Sequence, residues 1–216
     1  MKRLIIVCEG PTEKEFCSNM LNDFLLRYDI VTETPLVKHS GGGVVPWPTL
    51  RKQIINHLME GDAFVTMLID YYGIKDDFEF PKWEEAKAVV DRREKMSLLE
   101  QAMLEDIQEE LRYHFVPHLQ LHEFESLLFS DLSGFEKNFT TNEMKLAQLQ
   151  AILRQFPNPE DINNGLTTAP SKRLESAITG YKKVLYGNCV ALDIGLEKMM
   201  AMCPHFREWI DRLSQI

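Results

Sequence analysis

Leu4 to Cys8 is a continuous apolar run rich in Ile and Val, which predicts a short strand buried on both faces, as in a parallel sheet. Glu9-Gly10 ends it, and Pro11 follows where a helix begins, since its missing N–H costs nothing at the first helical position. Phe16, Met20, Leu21, Phe24 and Leu25 then recur at helical spacing. Val31 to Lys38 predicts a second strand, and Leu50, Ile54, Ile55 and Leu58 mark another amphipathic helix. Ala63 to Ile69 is a third apolar run, ending at Asp70. Trp83 to Tyr113 reads as one or two helices, and His114 to Leu121 alternates enough for a fourth strand. The rest reads as helices over 123–129, 143–156, 171–180 and 196–213, broken at Asn158-Pro159, Asn163-Asn164-Gly165 and Ala169-Pro170. Strands alternating with helices predict an α/β fold with a mostly parallel four-stranded sheet flanked by helices. The expected organisation is an α/β domain over 1–130 and a helical C-terminal extension over 131–216 packed on it.

Composition narrows the class. A hydrophobic fraction of 44% and a charged fraction of 26% are those of a globular chain. The net charge of −9 argues against coating nucleic acid by bulk charge, which needs many Lys and Arg contacts to phosphate. It leaves room for a nucleic-acid enzyme whose acids hold cations. Cys8, Cys17, Cys189 and Cys203 form no CxxC pair and read as reduced thiols rather than a disulfide framework. The basic start before Leu4–Val7 is too short for a signal peptide, because Glu9 interrupts it. No stretch approaches the ~20 apolar residues of a membrane span, so a cytoplasmic protein without membrane contact is expected.

Three apolar strands each run into acids: Leu4–Cys8 into Glu9, Ala63–Ile69 into Asp70, and His114–Leu121 into Glu123 and Glu125. Ligands of open parallel sheets bind outside the carboxyl ends of the strands. Neighbouring strands lie about 4.8 Å apart, so acids ending adjacent strands converge within reach of one ion. Carboxylates gathered so closely repel, and a hard divalent cation such as Mg²⁺ relieves this with one or two carboxylates per ion. Glu13, third residue of the first helix, can reach back toward Glu9; the plain alternative is a helix-start Glu that complements the macrodipole. Alternation faces Glu123 and Glu125 together if the segment is extended, whereas on a helix they diverge.

The segment Glu9-Gly10-Pro11-Thr12-Glu13 after its strand resembles the Toprim glutamate motif, and Ile69-Asp70-Tyr71-Tyr72-Gly73 resembles the Toprim segment in which Asp-x-Asp ends a strand. With Leu121-His122-Glu123-Phe124-Glu125-Ser126-Leu127-Leu128-Phe129, Pro170-Ser171-Lys172 and Cys203-Pro204-His205-Phe206-Arg207-Glu208-Trp209, the chain resembles the Toprim-like bacterial family known as domain of unknown function 4276 over nearly its whole length. It is more distantly similar to the overcoming-lysogenization-defect nucleases. The resemblance implies a Toprim-like fold, a site for Mg²⁺ (or Mn²⁺) on Glu9, Glu13, Asp70, Glu123 and Glu125, and catalysis by Glu9, Asp70 and Lys172. It implies phosphodiester hydrolysis in nucleic acid, DNA rather than RNA, beside an ABC-type ATPase in anti-phage defence. A homodimer is also expected. The sequence departs from Asp-x-Asp at Tyr72, because a neutral phenol is a poor Mg²⁺ ligand. The alternative is therefore a non-catalytic Toprim-like module that binds nucleic acid or the ATPase; hydrolysis of a small phosphoester is a third reading.

Other residues carry weaker signals. His122-Glu123-Phe124-Glu125 lacks the second His of HExxH, so a zincin is not expected, and His122 reads as a hydrogen-bonding partner of a nearby acid. Gly41-Gly42-Gly43 lacks the Lys-Ser/Thr of a P-loop and reads as a turn. Tyr71 and Tyr72 are candidates for stacking on a base, or for the core. Lys172-Arg173 and Lys182-Lys183 are the best candidates for phosphate contacts, or else a solvated helix face.

Overall fold

The computed structural model describes residues 1–38, 43–162, 165 and 167–216. Gly41 and Gly42 of the glycine turn, and Asn163 and Asn164, lie outside the described residues. The chain divides into two compact units, one formed by Met1–Gln120 with Asp211–Ile216 and the other by Leu121–Ile210.

The first unit is built on strands β1 (Lys2–Cys8), β2 (Ile30–Glu33), β3 (Ala63–Asp70), β4 (Phe115–Val116) and β5 (Leu119–Gln120). The sheet order is β2-β1-β3-β4, β5 also pairs with β3, and every pairing is parallel. The expected α/β fold with a mostly parallel sheet flanked by helices is thus present. Leu4 to Cys8 are buried, and all eight residues of β3 are buried, as befits central strands covered on both faces. Thr66, in the middle of β3, donates its hydroxyl to the Val116 carbonyl at 2.5 Å, which offsets the cost of burying it.

Helix Trp47–Leu58 buries Trp47, Leu50, Ile54 and Leu58, at spacings of three and four that trace one face. Helix Arg92–Glu105 buries Met96, Leu99, Ala102 and Met103 in the same way, and Asp91 caps its start by accepting the Glu94 N–H at 2.9 Å. The segment expected to be one or two helices is three: Trp83–Ala88, Arg92–Glu105 and Glu109–Arg112. The predicted second strand over 31–38 is shorter, ending at Glu33, with a single bridge from Cys8 to Leu36 beyond it. Pro35 explains the interruption, since it has no N–H to give to a ladder. The predicted fourth strand is split into β4 and β5 at Pro117-His118 for the same reason.

In the second unit, the predicted helix 123–129 is a seven-residue 3-10 helix, Phe124–Ser130, with every residue buried. Helices Leu146–Gln155, Pro170–Ala177, Lys183–Ile194 and Leu196–Met202 pack against it. Helix Ser133–Asn138 lies on Lys183–Ile194 through Gly134, where a Cβ would sit 2.6 Å from the Val190 carbonyl oxygen. The predicted 196–213 helix is broken at Cys203, and Pro204 opens the second piece, Pro204–Leu213. Glu160, fully buried, accepts the N–H groups of His205 and Phe206 at 3.0 and 2.8 Å, satisfying two donors of that helix's first turn. The helix Lys183–Ile194 has no counterpart in the sequence reading. Its Gly187, Asn188 and exposed Val184, Leu185 and Leu192 blur the apolar stripe. Among the described residues no helix is long and apolar enough to cross a membrane.

Candidate carboxylate site at the strand ends

The order β2-β1-β3 means the chain leaves β1 for one neighbour and later returns to pair on its other side. Such a reversal opens a crevice at the carboxyl ends of the two central strands. Cys8 pairs with Leu68 in register, and the Glu9 N–H continues the ladder to the Leu68 carbonyl at 3.1 Å. Glu9 and Asp70 therefore emerge side by side where β1 and β3 end. The Glu9 carboxylate Oε2 accepts the backbone N–H of Asp70 at 2.8 Å. This charge-assisted bond fixes one oxygen of Glu9 against the strand that carries Asp70.

Gly10 caps helix Pro11–Phe16, with Pro11 at its first position, as the sequence predicts. Glu13 in its first turn is 3% exposed and folds back over the cap: a Cβ on Gly10 would lie 3.2 Å from Glu13 Oε2. Glycine here gives space to the carboxylate. After Asp70, itself 5% exposed, the backbone enters a 3-10 turn, Tyr71–Gly73. A Cβ on Gly73 would stand 2.6 Å from Val44 Cγ2 and 3.6 Å from Glu9 Oε1, so this turn packs tightly on Val44 and lies in ordinary contact with Glu9. Glu9 is thus held at the end of β1 by the Asp70 N–H, Glu13 folds over the helix cap that follows it, and Asp70 ends the neighbouring strand β3. Beneath them lie Cys8 and Cys17, both fully buried. Burial first, then a hydrogen bond with Cys8 and the charges of Cys8 and Glu13, pushes the Cys17 thiol well above its ordinary range, which makes it inert as a nucleophile.

The remaining candidates belong to the second unit. Glu123, in extended conformation before the 3-10 helix, accepts the Ser171 N–H at 2.9 Å and the Ser171 hydroxyl at 3.1 Å. Glu125 is completely buried, and Lys183 Nζ lies 3.0 Å from its Oε2. Burial pushes the Glu125 carboxyl up to about 7, Lys183 opposes the rise, and the charge of Glu123 adds to it. The Tyr181 hydroxyl is buried close by, and burial together with Glu125 drives its pKa far upward. Lys172 Nζ lies 2.7 Å from Glu175 at the surface. Arg173 donates from Nε to the Thr168 carbonyl at 2.7 Å, its guanidinium lies 5.1 Å from the Phe156 ring centre, and burial lowers its pKa. His122 donates to the backbone carbonyl of Glu160 at 3.0 Å, and its φ of +65° places it in the left-handed region. The sequence named Lys183 only as a phosphate contact. Its pairing with Glu125 was signalled by an acid inside the otherwise apolar run Phe124–Phe129.

The parallel sheet flanked by helices, with Glu9 and Asp70 where its two central strands end, makes this an α/β protein. The family model described as Domain of unknown function (DUF4276) matches residues 8–214, and the chain belongs to that family. Among curated proteins none matches. Among solved structures, the C-terminal region of the OLD protein of Xanthomonas campestris pv. campestris is similar at 16% identity and a TM-score of 0.37, covering 98% of each chain.

Proposed function

We propose that the protein is a Mg²⁺- or Mn²⁺-dependent Toprim-type nuclease that hydrolyses phosphodiester bonds at the ends of β1 and β3. The observation that carries this reading is the hydrogen bond from the Asp70 N–H to Glu9, which holds two acids from distant parts of the chain at one strand end. The donor set fits the ion: Glu9, Glu13 and Asp70 offer only hard carboxylate oxygens, the preference of Mg²⁺ and Mn²⁺. Glu9, locked by its backbone bond, and Asp70 would hold the ion, with Glu13 folding in from the helix start. When bound, the ion lowers the pKa of water and neutralises charge on phosphoryl oxygens. The chain's own part is positioning: the Gly73 turn lies in contact with Glu9, and Gly10 leaves room for Glu13, so the carboxylates are arranged before substrate arrives. Lys172, Arg173, Glu123 and Glu125 enter the proposal through the resemblance described above. So do DNA as substrate, an ABC-type ATPase as partner in anti-phage defence, a cytoplasmic location and a homodimer.

The test is cleavage of single-stranded and duplex DNA and of RNA with Mg²⁺ or Mn²⁺, alone and with an ABC-type ATPase encoded beside it. The proposal expects metal-dependent cleavage that Asp70→Asn abolishes. Absence of cleavage on every substrate, or equal cleavage by Asp70→Asn, refutes it. Tyr72 in place of the second acid favours one other reading, a Toprim-like module that binds nucleic acid or the ATPase without cutting. That reading expects Glu9→Ala to keep its binding partner.

A further inference from the structure

We propose that the substrate is single-stranded nucleic acid and that Tyr72 is the platform on which one of its bases stacks; this rests on the nuclease reading and names its substrate class. Tyr72 stands two residues after Asp70 and is 40% exposed. It sits in the turn whose Gly73 lies against Glu9 and Val44, so the ring is carried at the lip of the carboxylate site by backbone with little freedom. The turn is also braced from below. Tyr71 packs on Trp83 with ring centres 5.6 Å apart, Trp83 on Phe80 at 6.4 Å, and Phe80 on Trp47 at 5.7 Å. Trp83 is anchored in turn by its Nε1 donating to Asp76 at 2.9 Å. One cation borders this aromatic ridge: Lys95 Nζ lies 6.0 Å from the Tyr71 ring centre.

Charge selects the single strand. Duplex binding without sequence contacts draws its affinity from many Lys and Arg neutralising phosphates. This chain carries 33 acidic against 24 basic residues. A strand with unpaired bases also offers π-faces, and each base stacked on an aromatic side chain adds about 1–3 kcal/mol that a duplex, its bases already paired and stacked, cannot gain. A neutral ring where a second acid would stand also removes one negative charge from the path of the phosphates.

The experiment uses the full chain with Ca²⁺ in place of Mg²⁺, and a thymidine oligonucleotide carrying one 2-aminopurine, free or annealed to its complement. Stacking on Tyr72 predicts quenching of 2-aminopurine by the wild-type chain and tighter binding of the single strand than of the duplex. Tyr72→Phe keeps both signals; Tyr72→Ala weakens single-strand binding roughly ten-fold and removes the quenching. Equal affinity of wild type and Tyr72→Ala, or preference for the duplex, overturns the inference. Quenching by the wild-type chain requires no variant to fold, so its absence with bound single strand overturns it as well. If the chain cleaves DNA in Mg²⁺ yet Tyr72→Ala binds as wild type, the stacking inference falls and the nuclease stands. If quenching is seen without cleavage, the reverse holds.

Discussion

Glu125→Gln exchanges a fully buried carboxyl for a neutral amide of nearly the same shape. Unfolded, this carboxyl titrates near its ordinary 4.5; folded, burial holds it near 7 against the pull of Lys183. The folded state therefore binds the proton more tightly. The stabilisation is complete below 4.5, declines as pH rises and is lost above 7. Each pH unit within that window is worth about 1.4 kcal/mol, so the whole window amounts to about 3 kcal/mol. The amide cannot ionise and escapes this loss. Urea unfolding of both proteins from pH 4.5 to 8.5, followed by fluorescence, isolates the effect as the difference between them. The gap should widen with pH in favour of Glu125→Gln by about 3 kcal/mol, most of it between 4.5 and 7. Lys183→Met should extend the upper end of the window beyond 7 and leave its lower end at 4.5, because the opposing positive charge is gone. A gap that stays constant with pH refutes the claim that burial governs this carboxyl.

Gly134→Ala sets helix propensity against packing: alanine favours the helix by about 1 kcal/mol, yet its Cβ would meet the Val190 carbonyl at 2.6 Å and Ile194 Cγ1 at 2.7 Å. Packing should win, lowering stability by about 1–3 kcal/mol in thermal unfolding; an unchanged or raised Tm contradicts the close helix contact. Glu160→Ala strips the buried N–H groups of His205 and Phe206 of their acceptor and should cost about 1–3 kcal/mol for each group left orphaned, whereas Glu160→Gln, retaining one acceptor oxygen, should recover part of it. Identical urea midpoints for the two variants would show that the carboxylate does not hold that helix start.

The central strands were legible because burial on both faces leaves an unmistakable apolar run, as in Leu4–Cys8 and Ala63–Ile69. The cap at Gly10 and the helix start at Pro11 were legible because local backbone chemistry decides them. The proximity of Glu9 and Asp70 followed from strand ends alone, but the bond from the Asp70 N–H depends on pairing register, which no local pattern encodes. The breaks at Pro35 and Pro117 were present as prolines and were outweighed by apolar alternation around them. Lys183–Ile194 escaped because its exposed Val184, Leu185 and Leu192 spread apolar residues around the helix. The setting of Glu125 was half-visible: an acid in an apolar run announces burial, while its partner lies some sixty positions away and could come only from the fold.

Titration calorimetry of the full chain with Mg²⁺ and with Mn²⁺, on wild type and on Asp70→Asn, addresses most directly whether the acids at the ends of β1 and β3 form an ion site. Saturable binding by the wild type, lost in Asp70→Asn while its urea unfolding is unchanged, is the predicted result. No saturable binding by the wild type, or binding that survives the substitution intact, would contradict it.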